Sequence, residues 1–334
     1  MIRVFSFVMA IFLCRAAFAV ELPAGVEFRN YTGWLESIYI NATETPVQAV
    51  IVPAVGGRMV HFSLNGENIL YENPATQGKT MGPGGEELWL GGYQCDVGPN
   101  GRDLPAHLQL LQGRAGWDLK GDFAAHVTSV PDVDLGIVIE KNFLLAPDTG
   151  ELGIMQRMRN VSDKDVSYSL WDRTLCKGGG FAFFPLNKKS RFKAGWSQRR
   201  QDGNKIYYDG EHPNAPQVRV LDDVLVVAAS GDVTQIGADS MAGWVAYARG
   251  KLLLVKYFPC FAQGHYSEGG NTVEIYFDQR AVELSPLSPE TKVAPGREYN
   301  FPEKWLLIPL TKEVTTGEEA RKLVRKIQPS PFGP

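Results

Sequence analysis

From Val20 to about Pro309 the chain alternates apolar and polar positions in short runs separated by Gly, Asn, Asp or Pro. "ESIYINAT", "VQAVIVPAV", "GRMVHFSL", "LGIVIEKNFLLA", "GIMQRMRNVS", "DVLVVAAS", "TVEIYFD" and "EKWLLIPL" are rich in β-branched and aromatic residues. Period-two alternation with that composition predicts strands. Two such runs flank Gly56-Gly57, where a tight turn or bulge admitting positive φ is the simplest reading. "ARGKLLLVKYF" reads as two strands joined by a tight Arg-Gly-Lys turn.

Helical periodicity is confined to the C-terminal end. Thr316 with Glu319 three residues on forms a capping-box pattern, and Ala320, Leu323, Val324 and Ile327 make an apolar stripe that stops before Pro329. A helix over Thr316–Gln328, the longest of the mature chain, is expected on the sheet edge. No 20–50-residue repeat is visible, which argues against a propeller. Many strands with almost no helix predict an all-β fold of large antiparallel sheets packed as a sandwich, occupying residues 20–312, with 313–334 as terminal helix and tail.

The first nineteen residues break the pattern. Arg3 precedes an apolar run, Val4 to Leu13, too short to span a bilayer, and Ala17-Phe18-Ala19 is a small-x-small cleavage site. Residues 1–19 therefore read as a signal peptide, and the mature chain as exported, periplasmic or extracellular, with no integral membrane segment. Its loss removes Arg3 and Arg15 and leaves 32 basic against 37 acidic residues. That balance provides no basic field for nucleic acid. The three remaining cysteines, Cys95, Cys176 and Cys260, are too widely spaced for zinc and too few for a disulfide framework. One bridge with a free thiol and three buried thiols both fit. At 334 residues, with 44% hydrophobic positions, the chain can bury one large core.

Motif chemistry is sparse. There is no Walker loop, dinucleotide fingerprint, G-x-S-x-G elbow or H-E-x-x-H. Asp96 and Asp103 bracket "VGPNGR", which lacks a recognised calcium-ligand spacing and reads as a solvated loop. His265 and Glu268 share the Gly-rich stretch "GHYSEGGN" and form a candidate acid/base pair. Trp89, Tyr93, Trp117 and Trp171 lie in or beside Gly-rich segments, where they are either core aromatics or faces on which a sugar ring stacks.

Two distant segments answer each other. "VPAVGGRMVHFSLNGENIL" and "AVELSPLSPETKVAPGREYNFPEKWLLIP" together resemble the opening and closing segments of galactose-mutarotase-like domains, which include the aldose 1-epimerases. "LPAHLQLLQGRAGWDL", with His107 ten residues before Trp117, resembles the epimerase segment carrying a His before a Trp. "VSYSLWDRTL" stands where the second epimerase His is carried, but Trp171-Asp172-Arg173 replaces it. "GGEELWLGGYQ" and "CDVGPNGRDLPAH" bring the chain closer to an exported bacterial family of unknown function within this superfamily.

The resemblance implies a β-supersandwich that takes a mono- or oligosaccharide, without cofactor or metal. It implies Glu283 as base and Asp172 or His107 as acid, although Asp172 reads equally as a surface carboxylate paired to Arg173. Arg58, Trp89, Tyr93, Trp117, Trp171, Arg173 and His265 complete the expected binding face. A mutarotase-like epimerase, a glycan-binding protein that lost the second His, and a polysaccharide lyase or hydrolase all remain compatible with this pattern.

Overall fold

The computed structural model describes residues 21–82, 85–99, 104, 106–203 and 205–333. Pro53–Val55 form a single 3-10 turn, after which Gly56 and Gly57 adopt φ of 75° and 60°. A Cβ on Gly56 would lie 2.0 Å from the Leu111 carbonyl oxygen. The glycine therefore lets the short helix Leu108–Gln112 press against the entry to strand Arg58–Leu64. Gly56 N–H donates to the Gly113 carbonyl at 2.8 Å, which closes that contact. The Gly-Gly pair is thus a docking point as well as a turn, and it fixes where His107, at the start of the helix, can stand.

Among the described residues the strands form two large sheets with antiparallel pairing throughout. One has thirteen strands. Its centre runs from Arg58–Leu64 to Gly92–Gly98, Val166–Lys177, Ala281–Pro286 and Val273–Phe277, then to Thr234–Ala238, Ser197–Asp202 and the edge strand Lys205–Asp209. The other has nine strands, with Trp244–Tyr257, Glu298–Val314 and Leu152–Asn160 at its centre. Along Leu152–Asn160 burial alternates residue by residue, as a strand with one face on a core requires. Trp305 crosses the gap between the sheets to meet Tyr93 at 5.3 Å and Phe62 at 5.9 Å between ring centroids. This is the sandwich that the sequence pattern predicts.

Two local expectations are corrected. "ARGKLLLVKYF" belongs to a single strand, Trp244–Tyr257, and Gly250 (φ 56°) marks a bulge in its pairing with Glu298–Val314. Gly at positive φ serves a bulge as well as a turn, and pairing with the long neighbour carries the strand through. The C-terminal helix begins behind Thr316, whose side chain accepts from Glu319 N–H at 3.2 Å. It is α-helical only over Gly317–Lys322 and tightens to 3-10 geometry over Leu323–Lys326. No helix among the described residues is long and apolar enough to cross a membrane. Cys95, Cys176 and Cys260 are buried free thiols. Residues 1–19, which the sequence reads as a signal peptide, and Asp103 lie outside the described residues.

Candidate functional site

Strand Val166–Lys177 is the hub of the larger sheet. Its register sets Arg173 opposite Gln94, Trp171 opposite Asp96 and Leu175 opposite Glu283. Residues directly opposite one another share a face, so Trp171, Arg173, Gln94, Asp96 and Glu283 all point away from the sandwich interior. Arg173 Nε and Nη2 donate to the two Glu283 carboxylate oxygens at 3.2 and 3.4 Å, while Nη1 donates to Asp96 Oδ2 at 3.3 Å. Asp96 Oδ1 is 2.9 Å from His107 Nε2. The Ser285 hydroxyl donates to Glu283 Oε1 at 3.0 Å. One guanidinium thus separates a carboxylate from a His–carboxylate pair.

Electrostatics follow from that layout. Burial works against ionisation of Asp96, but the His107 hydrogen bond, the Arg173 charge and the Val97 N–H outweigh it and hold its carboxyl below the usual range. The Glu283 carboxylate, then Asp96, keep Arg173 firmly protonated against burial. Arg58 is different. It is buried, donates from Nη1 to the Gly91 carbonyl at 2.7 Å and from Nη2 to Gln94 Oε1, and burial followed by repulsion from Arg173 pushes it down to about 9. Its role here is to hold Gln94 and the Gly91 backbone, under the site rather than at its rim.

A second row of side chains borders this hub. Tyr276 lies opposite Glu283 on the neighbouring strand. Arg280 donates from Nη2 to Asp278 at 2.7 Å and places its guanidinium 4.7 Å from the Trp89 ring centre. Trp89 packs against Tyr71 at 5.0 Å and remains 39% exposed. Arg173 itself lies 5.3 Å from the centre of the Trp171 ring, which packs with Tyr266 and Leu287.

The fold therefore brings Arg58, His107, Trp171, Arg173 and Glu283 together, with Trp89 at the border. Asp172 is excluded from the site. It points between the sheets, fully buried, where it accepts from Lys256 Nζ and from Thr174 Oγ1 at 2.6 Å. Strand alternation forces this, because Arg173 occupies the outer face. Tyr93 is likewise a core residue, packed on Trp305 and Phe143. Trp117 stands at the edge of the smaller sheet, 4.7 Å from Phe28. His265 is exposed, 3.7 Å from Glu290, and lies apart from the Arg173 hub.

The sequence places Asp96 in a solvated loop. It is buried in strand Gly92–Gly98 and joins His107 to Arg173. The available signal was its two-residue spacing from Gln94, which puts both on one face. Among the described residues no group of three or more His, Cys, Asp and Glu is arranged to hold a metal ion. The arrangement offers a proton acceptor, Glu283, and an imidazole supported by a carboxylate, on either side of a fixed cation. That is the equipment of general acid–base chemistry on a polar, hydroxyl-bearing ligand.

No family model matches the sequence, and no curated protein matches it either. Solved structures do. A galactose mutarotase-like protein from Lactobacillus casei superposes with a TM-score of 0.58 at 12% identity, over 81% of this chain and all of its own. A galactose mutarotase-like protein from Clostridium acetobutylicum gives 0.53 at 10% identity, over 86% of this chain and 99% of that one. The Slr1438 protein of Synechocystis gives 0.55 at 13% identity, over 84% and 98%. These similarities span nearly whole chains at low identity, and the protein accordingly has the galactose mutarotase-like fold.

Proposed function

We propose that the protein is an exported carbohydrate-active enzyme that interconverts the anomers of a sugar. The carrying observation is that Arg173 joins Glu283 on one side to Asp96 and His107 on the other, on one face of the large sheet. In this reading Glu283 takes the proton of the anomeric hydroxyl as C1–O1 becomes a carbonyl. The C1–O5 bond breaks, and O5 receives a proton from His107. Rotation about C1–C2 and the reverse steps return the other anomer. Arg173 orients Glu283 and offers charge to the oxygen that becomes the carbonyl, while Trp89 presents an aromatic face at the border. The likeness to galactose mutarotase-like structures supports a sugar as ligand.

Polarimetric or NMR anomer-exchange assays over a panel of aldoses test this. Glu283→Gln should lower the catalysed rate by about 10²–10⁴-fold. Sugar affinity should stay within about tenfold, roughly 1.4 kcal/mol. Wild type and variant both at the uncatalysed rate would end the enzyme reading for those sugars. One observation favours the alternative, a non-catalytic glycan-binding protein: Glu283 is held by Arg173 and Ser285 together, a geometry suited to a fixed acceptor.

A further inference from the structure

The polar face does not end at Glu283. Ser285, which donates to Glu283, lies directly opposite Glu274 on the adjacent strand. Glu274 is buried and accepts from Asn271 Nδ2 at 3.0 Å and Gln235 Nε2 at 2.7 Å. It also shares a hydrogen bond with Tyr208, whose hydroxyl donates to Glu268 Oε2 at 2.6 Å. A phenol has one proton to give. Glu268 and Glu274 therefore share the single Tyr208 hydroxyl proton. Burial, then the Glu268 charge, raise the Glu274 carboxyl to about 8 against the lowering effect of the Asn271, Gln235 and Tyr208 hydrogen bonds.

Glu268 and Tyr208 form one side of a cavity of about 440 Å³. Tyr207, Ile206, His265 and Pro99 also line it. Pro99 follows Asp96 by three residues at the end of the same strand. The cavity is therefore tied to the hub twice, through Pro99 and through the chain Glu283, Ser285, Glu274, Tyr208, Glu268. Its volume falls in the range of small-molecule sites.

The lining restricts the ligand. The Glu268 carboxylate accepts hydroxyl protons and repels anions. Tyr207, 44% exposed on the edge strand, adds an aromatic surface. A neutral ring with hydroxyl edges and C–H faces fits both surfaces. We propose that this cavity is a subsite for a second, neutral sugar ring, which makes the ligand of the Glu283 site an oligosaccharide and not a free monosaccharide. The proposal rests on the sugar reading of the Glu283 site.

Isothermal titration of the full mature chain with neutral gluco-, galacto- and manno-oligosaccharides of one to four rings tests it. For the series that binds, the second ring should raise affinity at least tenfold. Tyr207→Ala and Glu268→Gln should each remove most of that gain and leave monosaccharide affinity within twofold. Tyr207→Ala, at an exposed edge position, guards against a folding artefact in the buried Glu268 variant. Equal affinity for one and two rings overturns the subsite while leaving the monosaccharide reading intact. Failure of every sugar to bind overturns both.

Discussion

Asp172 and Arg173 are consecutive in the chain and face opposite sides of one sheet. Arg173 joins Asp96 and Glu283 on the outer face, whereas Asp172 is sealed between the sheets with Lys256. Lys256 also lies 3.5 Å from Glu303 and 4.6 Å from the Trp305 ring centre, so Asp172 belongs to a buried charge network. Removing one partner of such a network leaves a charge without compensation, at a cost of about 3–5 kcal/mol.

Adjacent substitutions should consequently separate stability from function. Asp172→Ala is expected to lose about 3–5 kcal/mol in urea denaturation. Its sugar affinity and exchange rate, measured where it remains folded, should stay within twofold of wild type. Arg173→Met should lose roughly 1–3 kcal/mol, since Arg173 is partly exposed, yet abolish binding and turnover. A folded Asp172→Ala protein without turnover would return Asp172 to the site.

Glu274 provides a pH prediction. Its folded carboxyl titrates at about 8, above the ordinary 4.5, because of burial first and the Glu268 charge second. Between those values the folded state binds a proton that the unfolded chain has released. Stability from this group is therefore fully present below about pH 4.5 and falls as pH rises towards 8, by up to about 1.4 kcal/mol per unit. Glu274→Gln should flatten the stability-versus-pH curve over that interval. A slope identical in wild type and variant would refute the assignment.

Much of this was legible in the sequence, and the misreadings share a cause. Alternation locates strands because one side of each usually meets solvent. Strand Gly92–Gly98 is buried on both faces along its whole length, so nothing in its pattern says that Tyr93 turns inward and Asp96 outward. The same holds for Trp171-Asp172-Arg173, where charged residues occupy both faces of a central strand. Glu283 and His107 could be named from the resemblance, but the link between them runs through Asp96, which the glycine-rich stretch after it disguised as loop. Glu274 offered no local signal. Asn271 stands only three residues before it, but Tyr208 and Gln235 come from two separate segments that only the sheet order brings to it.

Export has its own test. Arg3, the apolar Val4–Leu13 run and Ala17-Phe18-Ala19 predict cleavage after Ala19. Mass spectrometry of protein from its native host should find the N-terminus at or near Val20. Recovery of intact Met1 in the soluble cytoplasm would contradict export.

The two exposed tryptophans make the last prediction. Trp89 and Trp117 are exposed to nearly the same degree, 39% and 41%, so accessibility alone cannot rank them as sugar platforms. Their surroundings do. Trp89 is connected to the hub through Arg280 and Asp278, on the strand end that carries Tyr276 opposite Glu283. Trp117 stacks on Phe28 at the edge of the other sheet. Trp89→Ala should therefore weaken sugar binding by about tenfold, roughly 1.4 kcal/mol. Trp117→Ala should leave binding unchanged and lower stability modestly, by about 0.5–1.5 kcal/mol for the lost aromatic pair. Calorimetric titration of both variants, with thermal unfolding as control, distinguishes them. Equal loss of affinity in the two would mean that the sugar face includes the smaller sheet's edge, and the hub centred on Arg173 would not account for recognition.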